Sequence, residues 1–216
     1  MNLTRRLAVA VALVIPGTLA AQAAKPARPA ATAVPTGPIR LVIAKDGNEA
    51  RYRVREQLVN IDFPSDAVGR TTALTGSVLI SPDGSIQKDS SKFSVDLATI
   101  VSDRSMRDRY IRRNSLQTDQ YPNAVLVPTG IKGLPNPLPT RGTVTFQLLG
   151  DFTVRGVTKP TTWDVTADIT PRDVAGTAVT SFTFGDFQIP MPRVPVLLGV
   201  RDTIRVEYDF HLVRGS

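Results

Sequence analysis

The sequence predicts an all-β fold of about eight antiparallel strands, with one short helix lying over it as a lid or plug. Three observations carry this. Apolar and polar residues alternate with period two in run after run from Ile39 to Leu212, the mark of strands with one buried and one wet face. Turn-forming clusters such as Pro82-Asp83-Gly84-Ser85 separate the runs at hairpin spacing. The period changes in one place only, between Ser91 and Pro122. A sandwich and an up-and-down barrel both satisfy this pattern, and closure into a barrel would remove the sheet edges.

Taken in order, Met1 to Ala23 has the build of a secretory signal peptide. Arg5 and Arg6 lead, Leu7 to Ile15 is an apolar run too short to span a bilayer, and Ala21-Gln22-Ala23 offers a small-residue cleavage site. An uncleaved anchor is the alternative. Residues 24–38 are rich in Pro and Ala without periodicity and read as a disordered linker. Residues 39–216 form the barrel domain. In it Ala50, Tyr52 and Val54 alternate with Arg51, Arg53 and Arg55. Leu74, Gly76, Val78 and Ile80 share one face, as do Phe93, Val95 and Leu97. A short strand is expected over Ala124–Pro128 and a Pro-rich loop over Gly130–Thr140. Thr143–Val154 is a long strand that puts Phe146 and Phe152 on one side. Trp163, Val165, Ala167 and Ile169 follow, then a turn at Asp173–Gly176, then Ala178, Thr180, Phe182 and Phe184. Three prolines make Phe187–Leu198 a loop, and Ile204, Val206, Tyr208, Phe210 and Leu212 face inward on the last strand.

The helix is expected over Asp103–Arg113, with Ser102 as N-cap and Asn114 as its stop. Met106, Arg107, Tyr110 and Ile111 share a face with Asp103, while Arg109, Arg112 and Arg113 share another. Asp103 and Arg107 are four apart and can pair on the surface; the sharper reading aims Arg107 into a cavity mouth, toward a ligand head group.

Composition narrows the function. The 216-residue chain carries 26 Lys+Arg against 19 Asp+Glu, a formal charge of +7, which reads as a solvated basic surface. It has no Cys and one His, so thiol chemistry and thiolate metal sites are out of reach. The lone His211 lies on a polar strand face, and no nucleophile-elbow motif accompanies it. Aromatic residues do not interleave with basic ones as in single-strand nucleic-acid binders. The expectation is a protein that is not an enzyme, holds no metal or cofactor, and binds no nucleic acid.

Three motifs in order resemble one family. Ser102 to Ile111 contains Arg107-Asp108-Arg109-Tyr110-Ile111, similar to an RD-x-HL signature with Tyr110 at the His position, and is followed by Leu116 and Asp119-Gln120-Tyr121-Pro122. Gly150-Asp151-Phe152-Thr153-Val154-Arg155-Gly156-Val157-Thr158-Lys159-Pro160 resembles GDLTIHGVTKP, with Arg155 at the His position. Phe184-Gly185-Asp186-Phe187 is the third. Together they are similar to the YceI-like family of bacterial, lipocalin-like polyisoprenoid-binding proteins, over roughly Glu49 to Val213. That resemblance implies a closed barrel whose mouth the helix covers; the leader, for its part, points to a secreted or periplasmic location. It implies that Phe93, Val95, Phe146, Phe152, Trp163, Phe182, Phe184 and Tyr208 line a cavity rather than fill a core. Met106, Tyr110 and Ile111 would touch a bound isoprenoid chain, such as a polyprenyl or quinone tail, and Arg107 its polar end. Arg109, Arg112 and Arg113 would face out, toward transient contact with an anionic membrane. The alternative is a non-enzymatic envelope or stress-related domain with a packed interior and no ligand.

Overall fold

The computed structural model describes residues 37–135 and 137–215. The leader expected over 1–23 lies outside the described residues, as does the expected linker up to residue 36.

The described residues hold ten strands: β1 (Ile39–Ile43), β2 (Glu49–Leu58), β3 (Ser65–Thr71), β4 (Leu74–Ile80), β5 (Lys92–Asp96), β6 (Asn123–Lys132), β7 (Gly142–Val154), β8 (Val157–Ile169), β9 (Asp173–Phe182) and β10 (Leu197–Arg214). β1 and β2 lie end to end along one edge of β10, β1 against Leu212–Arg214 and β2 against Leu197–Asp209. β4 and β3 lie end to end along the far edges of β1 and β2. Counted as two broken strands, these four make an eight-stranded ring in which each strand pairs antiparallel with its sequence neighbour and β10 returns to β1. The result is a closed up-and-down barrel.

The break between β1 and β2 is held by one side chain. Buried Asn48 donates from Nδ2 to the carbonyls of Ala44 (3.0 Å) and His211 (3.2 Å). Its Oδ1 accepts from the Tyr208 hydroxyl (2.8 Å) and the His211 amide (3.0 Å). Asn48→Ala takes these bonds from the Ala44 carbonyl, the Tyr208 hydroxyl and the His211 amide, while the His211 carbonyl keeps the Ala44 amide (2.9 Å); each buried unsatisfied group costs about 1–3 kcal/mol. The expected result is a melting temperature well below that of the parent, read by circular dichroism; an unchanged value would show that the corner is held by the strands alone.

The inward residues expected on β7, β8 and β10 are inward. Phe152, Val154, Trp163, Val165, Ala167, Ile204, Phe210 and Leu212 are all buried in the interior cluster. The differences are local. β3 was not expected, because its residues are small and mixed; its Gly69 is required, since a Cβ there would stand 2.2 Å from Cε1 of the Tyr52 ring. β6 runs past Pro128 to Lys132 by a register shift between Pro128 and Gly130, so part of the expected Pro-rich loop is strand. The turn expected at Asp173–Gly176 falls earlier, where the Thr170 amide donates to the Asp173 carbonyl (2.9 Å), and β9 starts at Asp173. β9 ends at Phe182, so Phe184 lies past the strand, at the start of a 3-10 turn over Gly185–Phe187. That turn drives Phe187, expected in a loop, into the core at 1% exposure.

The helix is α1 (Ser105–Tyr110), continued by a wider π-helical turn over Ile111–Leu116. Ser102 is not its cap. Arg104 holds that position without a side-chain bond, while the Ser102 amide and hydroxyl both donate to Oδ1 of buried Asp108, at 2.9 and 2.6 Å. The helical segment ends not at Asn114 but at Gln117, in the left-handed region at φ 52°.

Candidate functional site

The barrel is not filled. It encloses a cavity of about 790 Å³, within the range of small-molecule sites and of the single-ligand interior that an eight-stranded barrel can hold.

The twelve residues singled out in the sequence all border this cavity. Phe93 and Val95 come from β5, Phe146 and Phe152 from β7, Trp163 from β8, Phe182 from β9 and Tyr208 from β10; Phe184 reaches it from the turn after β9. Met106, Arg107 and Tyr110 come from α1, and Ile111 from the turn that extends it. Phe152 is the hub of the aromatic wall. Trp163 meets it edge-on at 5.4 Å between ring centroids, Phe187 does so at 5.7 Å, and Phe182 stands tilted at 6.1 Å. These offset and T-shaped geometries are the favoured ones for aromatic pairs. Two polar ends in the wall are used internally: the Trp163 indole donates to the Thr161 hydroxyl (3.0 Å), and the Tyr208 hydroxyl is spent on Asn48. Burial pushes the Tyr208 hydroxyl's pKa up, so it stays a neutral donor.

The inner face of β2 adds Tyr52, Val54, Glu56 and Leu58 to the wall. The alternation of Ala50, Tyr52 and Val54 continues through Glu56 to Leu58, and the charge on Glu56 masked the continuation. Glu56 is the partner of Arg107. Arg107 Nη2 donates to Glu56 Oε1 at 2.5 Å, and Nη1 pairs with Asp103 and approaches the Ser102 hydroxyl at 3.4 Å. The pair is largely out of water, with side chains 14% and 9% exposed. Desolvation opposes the Arg107 charge, but Glu56 and Asp103 outweigh it and hold the guanidinium above its usual pKa. The expected surface pair with Asp103 is therefore one side of a buried clamp that ties α1 to β2. The Tyr52 hydroxyl, four residues along the same face of β2, is buried and has no hydrogen-bond partner.

Residues that border the cavity yet stay exposed mark its mouth. They are Asp103, Arg104, Ser105 and Met106 on the helical side and Val196 beside β10. Of the three arginines expected to face outward, Arg109 and Arg113 do. Arg112 does not: its Nη1 donates to the Ile100 carbonyl (3.0 Å) and pins the helix to the segment before it. His211 stands on the outer side of the barrel, its Nδ1 3.2 Å from the Asp46 carbonyl and its Nε2 3.7 Å from Asp173.

A family model described as "YceI-like domain" matches residues 43–212. A protein of Pseudomonas putida named UPF0312 protein is 33% identical over 117 residues, covering 50% of this chain and 57% of its own length. The chain thus spans little more than half of the curated relatives it matches. Among solved structures, a polyisoprenoid binding domain from Saccharophagus degradans superposes with a TM-score of 0.59 at 11% identity, over 82% of this chain and 98% of its own. Burkholderia cenocepacia BcnA gives 0.56 at 16% identity, over 77% and 95%. The Campylobacter jejuni YCEI protein gives 0.54 at 12% identity, over 74% and 91%. At such identities these neighbours speak to the fold alone.

Proposed function

Starting from a chain that belongs to the YceI-like family, we propose that this barrel binds a long-chain lipid of the isoprenoid class and carries or sequesters it. The observation that carries the reading is the cavity: large, walled by aromatic and aliphatic side chains, and open past one short helix. Each buried CH₂ contributes about 0.8 kcal/mol, so a few isoprene units are enough for tight binding. The Saccharophagus degradans neighbour is a polyisoprenoid binding domain, which supports the same class. Met106, Tyr110 and Ile111 touch the chain near the mouth, and the aromatic wall around Phe152 receives its far end. Arg107 stands at the polar end. Its charge is already matched by Glu56 and Asp103, so it offers N–H donors to a neutral oxygen, as in a quinone or alcohol, rather than an unpaired cation to a phosphate. No catalytic step is part of this reading. Export follows from the leader, and a mature N-terminus near Ala24 is its test.

Native mass spectrometry of protein purified from a bacterial host should show a lipid adduct, and organic extraction should release a prenyl compound. A bare mass, with no uptake of a prenyl quinone added in detergent, would overturn the proposal.

A further inference from the structure

We infer that the rim of the cavity mouth is a docking surface for an anionic phospholipid bilayer, and that its apolar turns dip into the membrane. The inference rests on the lipid-carrying reading and adds where the cargo is exchanged.

Among the described residues, six of the eight large apolar side chains left exposed fall on two segments; Val101 and Met106 are the other two. Val59, Ile61 and Phe63 lie on the turn between β2 and β3, Met191 and Val196 on the approach to β10, and Leu198 at the start of β10. Phe63 is 79% exposed and Leu198 66%. The two segments form one rim, because the Val59 amide donates to the Val196 carbonyl (3.0 Å) and Leu58 pairs with Leu197. Leu58 and Leu197 border the cavity, so the exposed rim is continuous with the cavity wall. Met106, 75% exposed on α1, stands on the other side of the mouth. Single exposed apolar residues on a surface are ordinary, but a cluster around an opening marks an interaction site.

Charge favours a bilayer as the occupant. Arg193 and Arg201 flank the β10 approach and Arg109 sits on α1; none has a carboxylate within ion-pair distance among the described residues. Of the acids nearby, Asp103 is matched by Arg107 and Arg104, while Asp202, which accepts the Phe184 amide (2.9 Å), keeps its negative charge beside Arg201. Asp62, in the β2–β3 turn, is also exposed, so the three arginines outnumber the two unmatched acids. Basic residues near an anionic leaflet are drawn to its negative surface potential. The apolar tips sit on the β2–β3 turn and at the start of β10, and Phe63 and Leu198 do not line the cavity, which suits a fluid interface. With the rim seated in a leaflet, a hydrocarbon chain passes between bilayer and cavity without crossing water.

The test uses flotation with vesicles of phosphatidylethanolamine and phosphatidylglycerol, against vesicles of phosphatidylcholine. The parent should float with the anionic vesicles preferentially. Phe63→Ser with Leu198→Ser, neither side chain bordering the cavity, should reduce flotation roughly tenfold or more, keep the parental melting temperature, and leave uptake of a prenyl quinone from detergent unchanged. Arg193→Glu with Arg201→Glu should remove the preference for phosphatidylglycerol. A parent that floats with neither vesicle overturns the inference. So does flotation that the double Ser variant does not weaken, or a dimer in sedimentation that the same variant dissolves, since a second copy would then cover the rim. Flotation that depends on Phe63 and Leu198 in a protein that takes up no quinone from detergent supports the docking surface and sinks the cargo reading, so the two fail separately.

Discussion

Phe152→Asp is expected to be the most damaging single change in the barrel. Removing a buried Phe costs about 3–5 kcal/mol before any charge is considered, and Phe152 loses three aromatic neighbours at once. The carboxylate that replaces it faces a wall of apolar side chains with no cation to pair with, which adds the cost of an unpaired buried charge. Urea denaturation should find the variant unfolded or barely stable at neutral pH. Thr153→Asp, on the opposite face of β7, gives up only a hydroxyl contact with Thr158 (2.8 Å) and should shift the midpoint little. Equal losses for the two would mean that β7 is turned over by one residue.

The second large effect is expected at the clamp. Arg107→Ala strands Glu56, a carboxylate in the wall, without its cation. Breaking a buried ion pair by removing one partner costs about 3–5 kcal/mol; the residual exposure of Arg107 places this one at the low end of that range. Replacing both partners, Glu56→Leu with Arg107→Met, takes away the stranded charge as well and should recover most of the loss. Denaturation midpoints of the two single variants and the double close a cycle. Additive losses would show that the two side chains act independently, and that α1 is held by Asp108 and Arg112 alone. If Arg107 also meets the cargo, the double variant regains stability but not its grip on a prenyl quinone.

The strands were legible wherever one face is apolar and the other polar, as on β7, β8 and β10, because a period of two leaves little freedom in register. β3 was hidden for the opposite reason. Its Gly69 is dictated by the Tyr52 ring across the pair, a long-range demand that no local pattern records. The cavity wall could be read in the sequence as a set of inward residues, but whether they meet in the middle depends on barrel closure, and that depends on β10 reaching β1. The clamp shows the limit most clearly. The sequence places Asp103 and Arg107 within reach of each other along a helix, while Glu56 lies far off in the chain on a strand facing inward, where a carboxylate looks like an error in the pattern. Such exceptions to alternation are where partners should be sought. Arg112 teaches the same lesson: helical periodicity assigned it to the open side, and a single backbone carbonyl at Ile100 claimed it.

The broken strand β1–β2 also sets the order in which this barrel can assemble. From β3–β4 onward every pairing joins sequence neighbours, so each closes a loop far shorter than the seam does, even β5 to β6 with the helical segment between them. The seam where β10 meets β1 and β2 joins the two ends of the domain, Leu41 to Arg214. The entropy of closing a loop rises with its length, and non-local pairings set the pace of folding. The seam is therefore the slow, late step, and until it forms β10 presents its long outer edge to other chains. Refolding yield should then fall as protein concentration rises, with intermolecular strand pairing competing against a first-order closure.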